Sequence, residues 1–155
     1  MRHRLTRVLR YTPEQLFQLV GDVERYPEFV PWVTRMRLSN PREVAPGVDE
    51  LDAEASVSFA FLTERFSTRV QRDAPASEIR VSLIRGPFRK LENRWRFTPQ
   101  GPGTLVEFEI DFEFSSRLLD ALLRANVGHA MNRLIGCFEA RAKALYGPQD
   151  KTPRV

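Results

Sequence analysis

Between Val106 and Phe114 every second residue is apolar, and Glu107, Glu109, Asp111 and Glu113 fill the places between. A side-chain period of two belongs to a β-strand, and acids at alternate positions give that strand one dry face and one wet face. Such a strand fits an antiparallel sheet that is solvated on one side and covered on the other. The segment before it, with Leu91, Asn93, Trp95 and Phe97, alternates in the same way and reaches it through Pro99-Gln100-Gly101-Pro102-Gly103. Closing that turn with Pro99 opposite Thr104 sets Arg96 against Glu107, Arg94 against Glu109 and Lys90 against Glu113. It also pairs Trp95 with Phe108 and Leu91 with Phe112 on the dry face, leaving Glu92 against Asp111 as the one like-charged pair. Opposite charges directly across a ladder contribute about 0.2–1 kcal/mol each, and a slip of one residue would turn the charges inward. The acidic row is therefore the outside of a sheet and not a catalytic cluster.

Five further segments read as strands. Residues 3–11 open the chain, and Thr34 to Leu38 forms a second strand that ends at Asn40-Pro41. Glu50 to Phe61 sets Leu51, Ala53, Ala55, Val57, Phe59 and Phe61 on one face. Phe66, Thr68 and Val70 follow, then Ile79, Val81 and Leu83, bounded by Pro75 and Gly86-Pro87.

After the first strand, Thr12-Pro13-Glu14-Gln15 signals a helix start, with Thr12 as N-cap, Pro13 in the first turn and Gln15 as capping-box partner. Leu16, Phe17 and Val20 give this helix its apolar face, Gly21 stops it, and Asp22 is placed to cap one further turn. Tyr26-Pro27-Glu28-Phe29-Val30-Pro31-Trp32 cannot continue a helix, because proline lacks an N–H and clashes with the preceding turn. The run is expected to be an extended or turn-like elbow, held against the sheet as the lid or rim of a cavity. From Ser115 or Ser116 to about Tyr146 the period becomes helical: Leu118, Leu119, Leu122, Leu123, Val127, Met131, Leu134, Phe138, Ala142 and Leu145 follow steps of three and four. Gly147-Pro148 ends the helix. At about 1.5 Å per residue it reaches about 45 Å, enough to cross a sheet. Gly128 and Gly136 in its interior suggest a close approach or a bend.

These elements predict an α+β, helix-grip domain over residues 1–147, followed by a polar tail over 148–155. A curved antiparallel sheet of about seven strands wraps a long C-terminal helix, with two short helices after strand 1. One helix cannot cover seven strands unless the side chains between them are large, so the arrangement holds either a pocket or a very aromatic core. Eleven phenylalanines suit both.

At 155 residues the chain fits one domain. The single Cys137 excludes an internal disulfide and a cysteine-based zinc site, which suits a reducing compartment. Arg2, Arg4, Arg7 and Arg10 precede no apolar h-region, and no run approaches the ~18 apolar residues of a membrane span. A soluble cytoplasmic protein is expected, with transient contact at the inner face of the cell membrane. A net charge of +4 and a pI near 9.7 permit phosphate-rich partners. The two histidines do not pair: His3 is expected at an exposed or edge position and His129 on the open side of the long helix, while Cys137 reads as a small core residue. With no metal-ligand spacing, no nucleophile–base set and no phosphate-cradling glycine motif, neither catalytic nor metal residues are assigned and an enzyme is not expected.

The elbow Tyr26-Pro27-Glu28-Phe29-Val30-Pro31-Trp32, the run from Gly86-Pro87-Phe88 to Trp95-Arg96-Phe97, the strand Val106–Phe114 and the closing helix resemble the START-like (Bet v 1-like) superfamily. Within it they are similar to the coenzyme Q-binding and ribosome-association toxin family, whose members also carry the label polyketide cyclase or dehydrase. The resemblance covers about residues 3 to 147 and departs at Val33, where many relatives have Cys. It implies that ubiquinone or a related isoprenoid is bound as a ligand and not as a cofactor, supporting respiratory electron transport. A second implied role is binding to the large ribosomal subunit with a block of subunit association, and a third is polyketide cyclase-like chemistry.

A binding site of this kind needs a concave apolar wall with few polar groups. The candidate wall is Phe59, Phe66, Val81, Leu91, Asn93, Trp95, Phe108, Ile110 and Phe112 from the sheet, with Met131, Leu134 and Phe138 from the helix. The candidate rim, facing a membrane, is Tyr26, Phe29, Val30, Pro31 and Trp32. Asn93 faces inward among apolar residues, and a buried amide needs a partner: a ligand carbonyl, a backbone group or water. Arg2, Arg4, Arg35, Arg37, Arg85 and Arg89 are candidates for anionic headgroups or for rRNA phosphates. DNA is not an expected partner.

Overall fold

The computed structural model describes residues 1–59 and 62–148, the side chains of Phe59 and Leu62 excepted. Ala60 and Phe61, expected at the end of a strand, and the expected polar tail from Gln149 onward lie outside the described residues. Seven strands are described: β1 (Arg2–Leu9), β2 (Val33–Ala45), β3 (Val48–Phe59), β4 (Leu62–Asp73), β5 (Glu78–Arg85), β6 (Phe88–Gln100) and β7 (Gly103–Phe114). They form one antiparallel sheet in the order β1-β7-β6-β5-β4-β3-β2. Helix α1 (Pro13–Gly21) and a 3-10 turn (Val23–Glu28) follow β1, and helix α2 (Arg117–Tyr146) closes the fold. No helix among the described residues is long and apolar enough to cross a membrane.

The β6–β7 register is the one the charges dictate: Pro99 opposite Thr104, Arg96 opposite Glu107, Arg94 opposite Glu109, Trp95 opposite Phe108 and Leu91 opposite Phe112. Lys90 does stand opposite Glu113, yet its Nζ leans diagonally to Asp111 at 2.9 Å. This relieves the Glu92–Asp111 repulsion, and the hydrogen bond from Lys90 holds the Asp111 carboxyl below the ordinary carboxylate range. At Gly103, where β7 begins beside the end of β1, an added Cβ would overlap the Leu9 carbonyl oxygen, so only glycine fits.

Thr12 caps α1 as expected, its Oγ1 accepting the Gln15 N–H at 3.1 Å while Gln15 Oε1 accepts the Thr12 N–H at 3.0 Å. Asp22 provides no side-chain cap to the 3-10 turn. The elbow is also more helical than the prolines imply, since Tyr26, Pro27 and Glu28 complete that turn. A single short turn needs few N–H donors, and side chains hold this one in place. The Tyr26 hydroxyl donates to the Val20 carbonyl, and Glu28 accepts from Arg25 and Arg141, each at 3.2 Å.

Asn40-Pro41 does not end β2. Asn40 adopts a positive φ of 52°, and the pairing jumps from Ser39–Asp52 to Arg42–Glu50, so the two residues form a bulge. The strand lies at the edge of the sheet, where a proline breaks no ladder bond on its open side.

On α2, Val127, Met131, Ile135, Phe138 and Ala142 are buried, whereas Leu118, Leu122 and Leu145 are exposed. Ile135 was absent from the expected series because a chain of threes and fours can drift around a helix without marking its innermost line. Nothing stands within 4 Å of a Cβ added at Gly128 or Gly136, so neither permits a close approach. The C-terminal half of α2 is tied down from several sides. Arg7 reaches from the inner side of β1 to Glu139 at 2.6 Å and Asn132 at 3.1 Å. Tyr11 Oη donates to the Gly147 carbonyl at 2.8 Å, and Tyr146 Oη to the Gln15 carbonyl at 3.1 Å.

Candidate functional site

Between the inner face of the sheet and the middle of α2 lies a cavity of about 340 Å³. Eleven of the twelve wall residues expected from the sequence line it: Phe66, Val81, Leu91, Asn93, Trp95, Phe108, Ile110, Phe112, Met131, Leu134 and Phe138. The twelfth, Phe59, ends β3 with its side chain outside the described part of the structure. Period-two alternation delivers the sheet residues to one face, and Val81, Asn93 and Ile110 stand side by side across β5, β6 and β7.

The elbow divides. Tyr26, Val30 and Trp32 belong to the lining, whereas Phe29 and Pro31 do not. Phe29 packs edge-on against Tyr26 and Phe138, with ring centroids at 5.6 and 5.3 Å, and lies under the Arg141 guanidinium at 5.1 Å. Pro31 is exposed. The Tyr26 phenol is held well above its ordinary pKa by burial, and it therefore stays neutral as a donor. Trp32 carries the Arg133 guanidinium over its ring at 5.2 Å, which fixes the elbow to α2 beside the cavity.

Lining residues that the sequence reading missed include Ala53, Ala55, Thr68 and Val70 on β3 and β4, and Val127 on α2. The signal was available in the alternation itself: alanines on a dry face leave room opposite them. Polar groups are few. Thr68 Oγ1 donates to the Ala53 carbonyl at 3.4 Å, and Glu64 lines the cavity from β4. Asn93 Oδ1 is buried and has no hydrogen-bond partner. His3 stands across from Ile110 on edge strand β1, with Nε2 buried and unpartnered, but it does not line the cavity. His129 is exposed, and burial pushes the Cys137 thiol up.

Trp32, Glu64, Phe88, Phe114 and Leu123 line the cavity at one end of the sheet and the start of α2. There the β5–β6 connection meets the start of α2, with the Ser115 N–H donating to the Pro87 carbonyl at 2.9 Å and the Phe88 and Phe114 rings stacked at 4.5 Å. The Trp32 carbonyl accepts the Ser58 N–H at 2.8 Å at the same end. A hollow of about 500 Å³ on the outer face of the sheet is a lattice of opposite charges. Its Arg2, Arg69, Arg80 and Arg94 each stand by an acid, at 3.7 Å from Asp111, 3.5 Å from Asp52, 2.9 Å from Glu78 and 2.6 Å from Glu109. The apolar cavity is the better site for a ligand.

Residues 9–139 match the family model described as polyketide cyclase/dehydrase and lipid transport. The ribosome association toxin RatA of Escherichia coli K12 is 35% identical over 142 residues, covering 91% of this chain and 86% of that protein. The mitochondrial coenzyme Q-binding protein COQ10 homolog B of Xenopus laevis is 30% identical over 150 residues, covering 94% of this chain and 59% of that protein. An 18 kDa protein of Caulobacter crescentus, solved in solution, is 57% identical with a TM-score of 0.82, covering 96% of this chain and 99% of that one.

Proposed function

The chain belongs to the polyketide cyclase/dehydrase and lipid transport family, on the START-like fold, and from that premise we propose that it binds the ring of ubiquinone or a similar isoprenoid quinone. The observation that carries this reading is the Asn93 amide, which has an unpartnered oxygen inside a predominantly apolar wall. A buried polar group without a partner costs about 1–3 kcal/mol, so a ligand that satisfies it gains what the empty protein lacks. Asparagine offers both an acceptor and an NH₂ donor, so its oxygen can accept from a hydroxyl of the reduced quinol and its NH₂ can donate to a quinone carbonyl. Trp95 and Phe108, 4.4 Å apart between centroids, supply flat apolar faces for the ring. The mechanism is sequestration or delivery without covalent chemistry, carried out in the cytoplasm with transient contact at the inner membrane face.

Both tryptophans of the chain, Trp32 and Trp95, line the cavity. Titration with a short-tailed ubiquinone should therefore quench their fluorescence to saturation, and organic extraction of gently purified protein should release near-stoichiometric quinone in mass spectrometry. Absence of both signals from folded protein would sink the reading.

A second reading rests on the likeness to the E. coli ribosome association toxin. Here the basic surface meets rRNA or ribosomal protein at the large subunit. Cosedimentation with large subunits that weakens steeply with salt, in protein that ignores quinone, would establish it.

A further inference from the structure

The cavity is too small for the whole of the proposed ligand. A cavity of about 340 Å³ is at the small end of ligand pockets, which run from about 300 to 1,000 Å³. That accommodates a substituted quinone ring and little of a polyprenyl tail. A tail left in water would expose a long apolar surface, which at ~25 cal/mol per Å² is strongly unfavourable. Wherever the ring is bound, the tail needs another apolar phase outside the cavity.

The surface at the end of the sheet beside the start of α2 fits one. Leu118 and Leu122 are 72% and 39% exposed on successive turns at the start of α2, while Leu123 beside them lines the cavity. The adjoining end of β5 exposes Ile84 at 45%. From Arg85 to Lys90 the chain carries Arg85, Arg89 and Lys90 and no acid, though Arg89 and Lys90 pair with Glu113 and Asp111, and the first half of α2 has Arg117 and Arg124, the latter paired with Asp120. Arg85 and Arg117 form no ion pair among the described residues, whereas Arg2 and Arg4, expected at the membrane, are engaged by Asp111 and Glu109 on the outer sheet face. Exposed leucines beside the unpaired cations Arg85 and Arg117 match the interface of an anionic bilayer.

We propose that the first two turns of α2 and the adjoining end of β5 form a docking face for anionic lipid. The cavity mouth is seated on the membrane, and the quinone ring enters while its tail stays in the bilayer. This rests on the quinone reading for the ligand, but the surface is testable without it. Wild-type protein, free of quinone, is sedimented with phosphatidylcholine vesicles with and without phosphatidylglycerol, beside the double variant Leu118→Glu/Leu122→Glu. Both positions face solvent, so the variant keeps its fold, as circular dichroism will report. The expected result is at least tenfold stronger partition of the wild type to anionic than to neutral vesicles, and at least a tenfold loss in the variant. Quenching by a short-tailed quinone should be the same in both proteins. Equal partition of variant and wild type, or a wild type that ignores anionic vesicles and sediments with large ribosomal subunits, overturns the proposal. A wild type that docks as expected yet never takes up short-tailed quinone leaves the docking face standing and removes the quinone reading.

Discussion

Replacing Asn93 with leucine has opposite consequences for folding and for binding. The side chain sits between Val81 and Ile110, and its buried oxygen has no partner. An isosteric apolar group removes that unmet hydrogen bond, and Asn93→Leu should raise the unfolding free energy by about 1 kcal/mol in urea titration. The same change should weaken short-tailed quinone by at least tenfold in the fluorescence assay. A variant that loses stability would mean that the amide has a structural partner after all. This residue was legible because a polar side chain at an apolar position of a strict alternation is an anomaly that one strand suffices to reveal. Phe29 and Pro31 were not legible as outsiders to the cavity. In a segment without periodicity, neighbouring residues give no sign of which ring turns inward, and Phe29 is drawn away by Arg141 and Phe138.

At the scale of elements, legibility followed the strength of the local rule. The β6–β7 register could be read to the residue because charge and aromatic pairings agree on one alignment and a slip of one reverses every side chain. The bulge in β2 could not, because it depends on the positive φ of Asn40 and on the Asn40 Nδ2 bond to Asp52 at 3.0 Å, both set by the neighbouring strand. On α2, the glycines read as places of close approach face open space instead. Glycine inside a helix costs about 0.5–1 kcal/mol relative to alanine, chiefly through the freedom of the unfolded chain. Gly128→Ala and Gly136→Ala should therefore each raise stability by that amount. The two sites lie about 12 Å apart along the axis, far enough for the gains to add. Urea midpoints should rise with unchanged slope, whereas a fall at either site would show that α2 uses glycine there to meet something absent from the folded monomer.

For the whole molecule, a cavity was foreseeable because a single helix cannot cover seven strands, and the large residues of the wall were foreseeable with it. Its small volume was not, since it depends on how closely α2 is drawn in by Arg7, Tyr11 and Tyr146 at its C-terminal half. Ala55, buried and lining the cavity between Met36 and Phe66, offers a way to test the void directly. A ligand that binds only the folded state at a hundredfold excess over its Kd adds about 2.7 kcal/mol, and in a chain of this size each kcal/mol moves Tm by about 2–4 °C. Short-tailed quinone at that excess should thus raise Tm by about 5–11 °C. Ala55→Leu places its added carbons in empty space, so its own Tm should stay equal to or above that of the wild type, while the quinone-induced shift disappears. If the shift survives in Ala55→Leu, quinone binds somewhere other than this cavity, for only a ligand occupying the same volume competes with a side chain that fills it.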